Sequence, residues 1–282
     1  NGSMKDETIG RNKKHCYLCD SMNSTLIAKV DKKPERENDF GILPENYLRF
    51  IYKCVDCSVY FNLHESIEDG FYAGSYNKAV YNHKLLDKYT QIINLPDEKS
   101  DNRQRVQRIV QFCDQMGWSY RNVKVLDIGS GLCVFLGVLK EFGFLCHCFD
   151  PDPIAVDHAV SNVKIKGYTG TLDDFEPEEK FDIVTFNKVL EHVNDPIGML
   201  KKAKDILTNR GVVYVELPDG DSALEHGNAV EREEFYVEHL MIFNKDSLKF
   251  LSQKVGYDIL KVESIHEPSD KFTIYAFLKP EN

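Results

Sequence analysis

The stretch VKVLDIGSGLCVFLGVL, residues 123–139, constrains the fold more than any other part of the chain. A continuous apolar run, a glycine turn and a second apolar run at helical spacing read as a buried strand entering a helix. The same alternation continues downstream. Strands are predicted at 123–128, 145–149, 165–168, 181–186 and 211–217, and helices at 131–142, 152–161, 195–208 and 245–255. Apolar strands separated by amphipathic helices predict a parallel sheet covered on both faces. The last two strands, YDILKVESIH and FTIYAFLKP, are separated only by a short turn around Glu267 to Lys271. That is too short for a parallel crossover, so they form an antiparallel hairpin at the sheet edge. The expected fold class is α/β, a doubly wound, mostly parallel seven-stranded sheet with a small module before it.

In such a sheet a ligand lies across the carboxyl ends of the strands, where the strand order reverses. The first strand ends in DIGSG, where Gly129 and Gly131 let the backbone pass close to a ligand. A dinucleotide fingerprint would need a third glycine, but Val134 stands there, and Asp127 just before the turn would repel a pyrophosphate. The second strand ends in CFDPD, placing Asp150 to accept from ribose hydroxyls. Leu172 and Asp173 of GTLDDF are placed to flank an adenine, and TFNKVLEH offers Asn187, Glu191 and His192. These residues suit a nucleoside, with no lysine or arginine set for phosphate. S-adenosylmethionine fits, and Asp127 suits its ammonium.

Net charge is −10, from 45 acidic and 35 basic residues, which argues against a nucleic-acid backbone as partner. No apolar run reaches eighteen residues, and the opening Asn1-Gly2-Ser3-Met4 has no export core, so a cytoplasmic protein without a membrane span is expected. Of eight cysteines, four form two tight pairs, Cys16/Cys19 and Cys54/Cys57. Two such C-x2-C turns can close a four-sulfur zinc site, structural because no position stays open. Between the pairs, the polar run KKPEREND is expected to loop out. The other four cysteines lie in apolar segments and read as core. The expected organisation is a tag and flexible start at 1–13, a zinc ribbon at 14–62, a helical connector and lid at 63–120, and a cofactor domain at 121–282.

In order and spacing, VLDIGSGLC, CFDPDP, GTLDDF and FDIVTFNKVLEHVNDP resemble the cofactor motifs of class I S-adenosylmethionine-dependent methyltransferases. That resemblance implies cofactor contacts from Asp127, Gly129, Gly131, Asp150, Pro151, Leu172, Asp173, Asn187 and Lys188. With the four-cysteine ribbon ahead of it, the chain is similar to zinc-containing methyltransferases of nucleotide-linked deoxysugars. There, a tyrosine-rich segment folds over the site, and FYAGSYNKAVYNH is its counterpart, with Tyr72 and Tyr76 implied at the cofactor. The Tyr-x-Glu-His element of that group is matched by Tyr236, Glu238 and His239. The expected activity is methyl transfer to a sugar hydroxyl, amine or carbon. His239 is the general base oriented by Glu238, with His192 as the second candidate. The carbon methylators of that group continue into a further C-terminal domain after the sheet hairpin; no counterpart is expected here, which leaves the methylated atom open. A nucleic-acid or other small-molecule methyltransferase and a non-catalytic cofactor-binding scaffold are the rival readings.

Overall fold

The computed structural model describes residues 15–64 and 84–282. Three short strands come first, β1 (Ser24–Val30), β2 (Arg49–Cys54) and β3 (Tyr60–His64), followed by helices α1 (Leu85–Ile93) and α2 (Asp101–Met116). The α/β part then runs β4 (Lys124–Ile128), α3 (Val134–Glu141), β5 (Leu145–Asp150), α4 (Pro153–His158), β6 (Lys166–Thr169), β7 (Phe181–Asn187), α5 (Pro196–Asp205) and β8 (Leu207–Pro218). It closes with α6 (Gly220–Leu224), β9 (Met241–Ile242), α7 (Lys245–Val255), β10 (Tyr257–His266) and β11 (Phe272–Pro280).

The large sheet has seven strands in the order β10-β11-β8-β7-β4-β5-β6. The five strands β8, β7, β4, β5 and β6 are parallel, and β11 and β10 form the antiparallel edge hairpin, as its short turn requires. From β4 the chain winds outward to β6, then returns to β7 on the other side of β4, so the order reverses between β4 and β7. Neighbouring residues in each strand go to opposite cores. Leu126, Val184 and Val213 face a cluster that includes Leu200 and Leu251. Val125, Ile183 and Val212 join Val106 and Ile109 of α2 on the other face. Period-two side chains on a doubly covered sheet produce this split.

Local chemistry ends the helices. Ser100 caps α2 by accepting from the Arg103 N–H at 3.0 Å, and Gly117 terminates it in the left-handed region. Asn244 and Ser247 form a capping box on α7. Three expected boundaries move. Helix 195–208 ends at Asp205, and β8 begins at Leu207 rather than 211, because Leu207 pairs with Phe181 of β7. Helix 131–142 starts only at Val134, since Gly131 and Cys133 both take positive φ.

The amino-terminal module is not closed on itself. Its strands form a sheet in the order β1-β2-β3-β9, and β9 comes from far downstream, with Phe61 opposite Met241. Its apolar residues Phe50, Tyr52 and Phe61 belong to the same core as Leu126 and Val184. The KKPEREND run is an irregular and mostly exposed loop, as expected, but two of its residues turn inward. Pro34 and Glu37 are buried, and the Glu37 carboxylate accepts from the Tyr47 hydroxyl and the Val237 N–H, both at 2.6 Å. A polar run can enter a core when its carboxylate is met by donors. Among the described residues no helix is long and apolar enough to cross a membrane.

Candidate active site

The turn after β4 and the end of β5 are tied together. The Gly129 N–H donates to the Phe149 carbonyl at 2.8 Å, and the Gly131 N–H to Asp150 Oδ2 at 3.1 Å. A Cβ added to Gly129 would stand 2.9 Å from a methyl of Val189, so only glycine lets the loops after β4 and β7 meet. Asp150 also accepts from the Asp152 N–H at 2.9 Å. Two backbone donors therefore fix the carboxylate, and lone pairs remain for further donors. Burial raises its pKa.

Asp127 lies at the switch point and is 3% exposed. Thr185 Oγ1 donates to its Oδ1 at 2.6 Å and Asn187 Nδ2 at 3.0 Å. Burial pushes the carboxyl up to about 7, against the opposing pull of these two donors and of Arg105. Leu172 is buried in a short 3₁₀ turn, while Asp173 and Pro151 are exposed at the same sheet edge. Lys188 departs from expectation. Its ammonium is committed to Glu267 Oε1 at 2.9 Å and Thr273 Oγ1 at 2.6 Å, so it is not held ready for a cofactor. A buried ammonium needs such partners, and the edge hairpin supplies them. Tyr72 and Tyr76 lie outside the described residues.

His192 and His239, 47 positions apart in the chain, stand side by side with ring centroids 4.8 Å apart and edge to face. Nδ1 of His192 faces the Glu238 carbonyl at 3.0 Å, and Nδ1 of His239 faces the Glu234 carbonyl at 2.8 Å. A carbonyl only accepts, so each Nδ1 carries the hydrogen and each Nε2 the lone pair. Desolvation lowers the His192 pKa to about 4 and takes His239 well below the ordinary imidazole value. Both rings are neutral at pH 7. Glu238 does not orient His239 as the sequence suggested. The turn that closes with His239 N–H on Tyr236 O brings the Glu234 carbonyl to the ring instead, and Glu238 serves His192 through its backbone. Tyr236 is buried, and its carbonyl accepts from Asn62 Nδ2 at 3.2 Å.

Glu191, offered by the sequence at the end of the fourth strand beside Asn187 and His192, is turned inward. It is fully buried, and neither carboxylate oxygen has a hydrogen-bond partner among the described residues. Desolvation, only partly offset by Lys188, lifts it to about 8, so it is held as the neutral acid. Glu216 is its opposite. Burial works against its charge, but Arg105 and Arg108 of α2 overcome that and hold its pKa far below the carboxylate range. Arg105 donates to Oε2 and Arg108 to Oε1, joined by the Tyr214 hydroxyl at 2.7 Å. Residues of this kind leave no local signature, because the sequence does not show which charges will meet.

The sulfurs of Cys16, Cys19, Cys54 and Cys57 all lie within 4.8 Å of one another. The Cys16–Cys57 and Cys19–Cys54 separations are 3.5 Å, too long for disulfides. A tetrahedral zinc with Zn–S near 2.3 Å would set sulfur–sulfur edges of about 3.8 Å, so this donor set fits. Backbone N–H groups of Leu18 and Cys57 point at two of the sulfurs, which suits thiolates.

Residues 81–262, more than half of the chain, match the family described as a methyltransferase domain. A ubiquinone biosynthesis O-methyltransferase of Haemophilus ducreyi is 32% identical over 103 residues, 33% of this chain and 44% of that protein. The chain thus spans less than half the length of that relative. Among solved structures, the magnesium protoporphyrin IX methyltransferase of Synechocystis PCC 6803, with bound SAH, superposes with a TM-score of 0.55 at 13% identity. That match covers 73% of this chain and 99% of the other. The 1,6-didemethyltoxoflavin-N1-methyltransferase of Burkholderia thailandensis gives 0.54 at 14% identity, covering 83% and 96%. These likenesses are of fold.

Proposed function

We propose that this chain, which belongs to the methyltransferase-domain family, is an S-adenosylmethionine-dependent methyltransferase that methylates a hydroxyl oxygen of a small-molecule acceptor. His239 takes the acceptor's proton. The single observation that carries this reading is the pair of neutral imidazoles with both Nδ1 atoms locked on carbonyls. When bound, the cofactor supplies a methyl group already activated by its sulfonium. Asp127 accepts from the cofactor's ammonium and Asp150 from its ribose. Gly129 and Gly131 bring their backbone close to it. Leu172 and Asp173 line the base, with Asn187 and Pro151 at the rim. The low imidazole pKa leaves the Nε2 lone pair present in every molecule at pH 7. It also makes a weak base, so the proton moves only as the new bond forms. The four cysteines hold one structural zinc.

Oxygen as the methylated atom is supported by the O-methyltransferases among the relatives, whose name does not point to a sugar. A sugar hydroxyl is the second reading, favoured by the four-cysteine module and the Tyr236-Glu238-His239 element. A catechol and a nucleoside-diphosphate deoxysugar, each offered with S-adenosylmethionine, separate the two. On whichever is methylated, His239→Ala should lower turnover about a hundredfold or more. If His192→Ala abolishes turnover and His239→Ala does not, His192 is the base. If neither matters, the acceptor needs no base and the proton-transfer role is wrong.

A further inference from the structure

The segment that carries His239 is held from the amino-terminal module, by side chains that lie outside the sequence motifs. We propose that Asn62 of β3 and Arg49 of β2 are positioning residues for the His239 imidazole. This rests on the reading of His239 as proton acceptor.

Asn62 is fully buried. Its Nδ2 donates to the carbonyl of His239 itself at 2.8 Å and to that of Tyr236 at 3.2 Å. Its backbone N–H donates to the Leu240 carbonyl at 3.1 Å. Its Oδ1 accepts from Arg49 Nη1 at 2.8 Å. A guanidinium only donates, so that contact fixes which end of the amide faces the strap. Arg49 is 1% exposed and reaches the same segment through Nη1 to the Phe235 carbonyl at 2.7 Å. Its Nε is held on the Tyr47 hydroxyl at 2.9 Å, which in turn donates to Glu37, and Glu37 takes the Val237 N–H. Three polar side chains of the module, Asn62, Arg49 and Glu37, thus bond to residues 235–239, and Tyr47 links two of them.

The other end of the same strap has a separate anchor. Glu234 accepts from the Phe272 N–H at 2.8 Å and from Arg232, tying it to the edge hairpin. The Nδ1–H of His239 donates to the Glu234 carbonyl, so this one bond spans the two anchors. Loosening the Asn62 side should break it first and free the ring to change tautomer. The pairing of β3 with β9 would survive, because backbone hydrogen bonds carry it.

The test is nitrogen NMR of protein carrying labelled histidine, with His239 assigned by its absence from His239→Ala. In the parent protein His239 is expected as the neutral Nδ1–H tautomer, protonating only well below the ordinary imidazole range. Asn62→Asp keeps the size and the Arg49 contact but removes both amide donors. Asn62→Ser is the milder version, should the first not fold. In a folded variant the His239 signals should show mixed tautomers and a protonation midpoint shifted up. S-adenosylhomocysteine affinity by calorimetry should stay within twofold. Unchanged His239 signals in a folded Asn62 variant would mean that Asn62 only packs the strap, and would overturn the proposal. A His239→Ala protein that keeps full turnover on a methylated acceptor overturns the base reading instead, whatever the spectra show.

Discussion

Replacing Asp127 by asparagine isolates the charge at the switch point while keeping the shape. The side-chain oxygen of the variant can still accept from Thr185 and Asn187, which contact Oδ1 at 2.6 and 3.0 Å. The parent carboxyl has its pKa pushed up to about 7, chiefly by burial. The sign follows from that direction. A carboxyl with a raised pKa favours the folded state as the acid, so its contribution to stability is full below the ordinary value of 3.8 and is lost as pH rises through about 7. Cofactor binding runs the other way, because the ammonium needs the carboxylate. A group with that pKa is about 3% ionised at pH 5.5 and about half ionised at pH 7, while an α-ammonium stays protonated throughout. Affinity for S-adenosylhomocysteine should therefore rise about fifteenfold over that interval, or about 1.6 kcal/mol. Calorimetric titrations at pH 5.5, 6.2 and 7 measure it directly. The Asp127→Asn protein should bind more weakly at pH 7, with a flat profile. A flat profile in the parent, or the same slope in the variant, would refute the assignment of the ammonium to Asp127.

Asp150→Ala should weaken S-adenosylhomocysteine binding by about 1.5 to 3 kcal/mol, since hydrogen bonds to a charged group are lost. The same titration checks it. Elemental analysis should find one zinc per chain. Chelation or Cys54→Ser should loosen the module, seen as faster backbone exchange in β1 to β3, while the large sheet keeps its protection. Arg105→Ala leaves the fully buried Glu216 with only Arg108 and Tyr214, and should lower unfolding stability by about 3 kcal/mol in denaturant melts.

The sequence by itself determined the sheet, its sense and its switch point. Apolar periodicity along 123–139 and the later strands records which faces are covered, and the five-residue turn between β10 and β11 forces their antiparallel pairing. The two C-x2-C turns also carried their meaning locally, because both thiols of each pair lie on one tight turn. What only the tertiary structure decided is which polar groups meet. Glu37 sits in a run that reads the same whether exposed or buried, and only the arrival of Tyr47 and Val237 makes its burial tolerable. Leu207 joins a strand four residues early because Phe181 is there to pair with it. His192 and His239 become neighbours, and Glu234 rather than Glu238 takes the His239 hydrogen, because Asn62 and the edge hairpin hold the strap between them. Burial of apolar residues is written in local period, but the pairing of buried polar groups depends on chain segments up to about two hundred positions apart. Each of those groups is stable only once its partner has arrived.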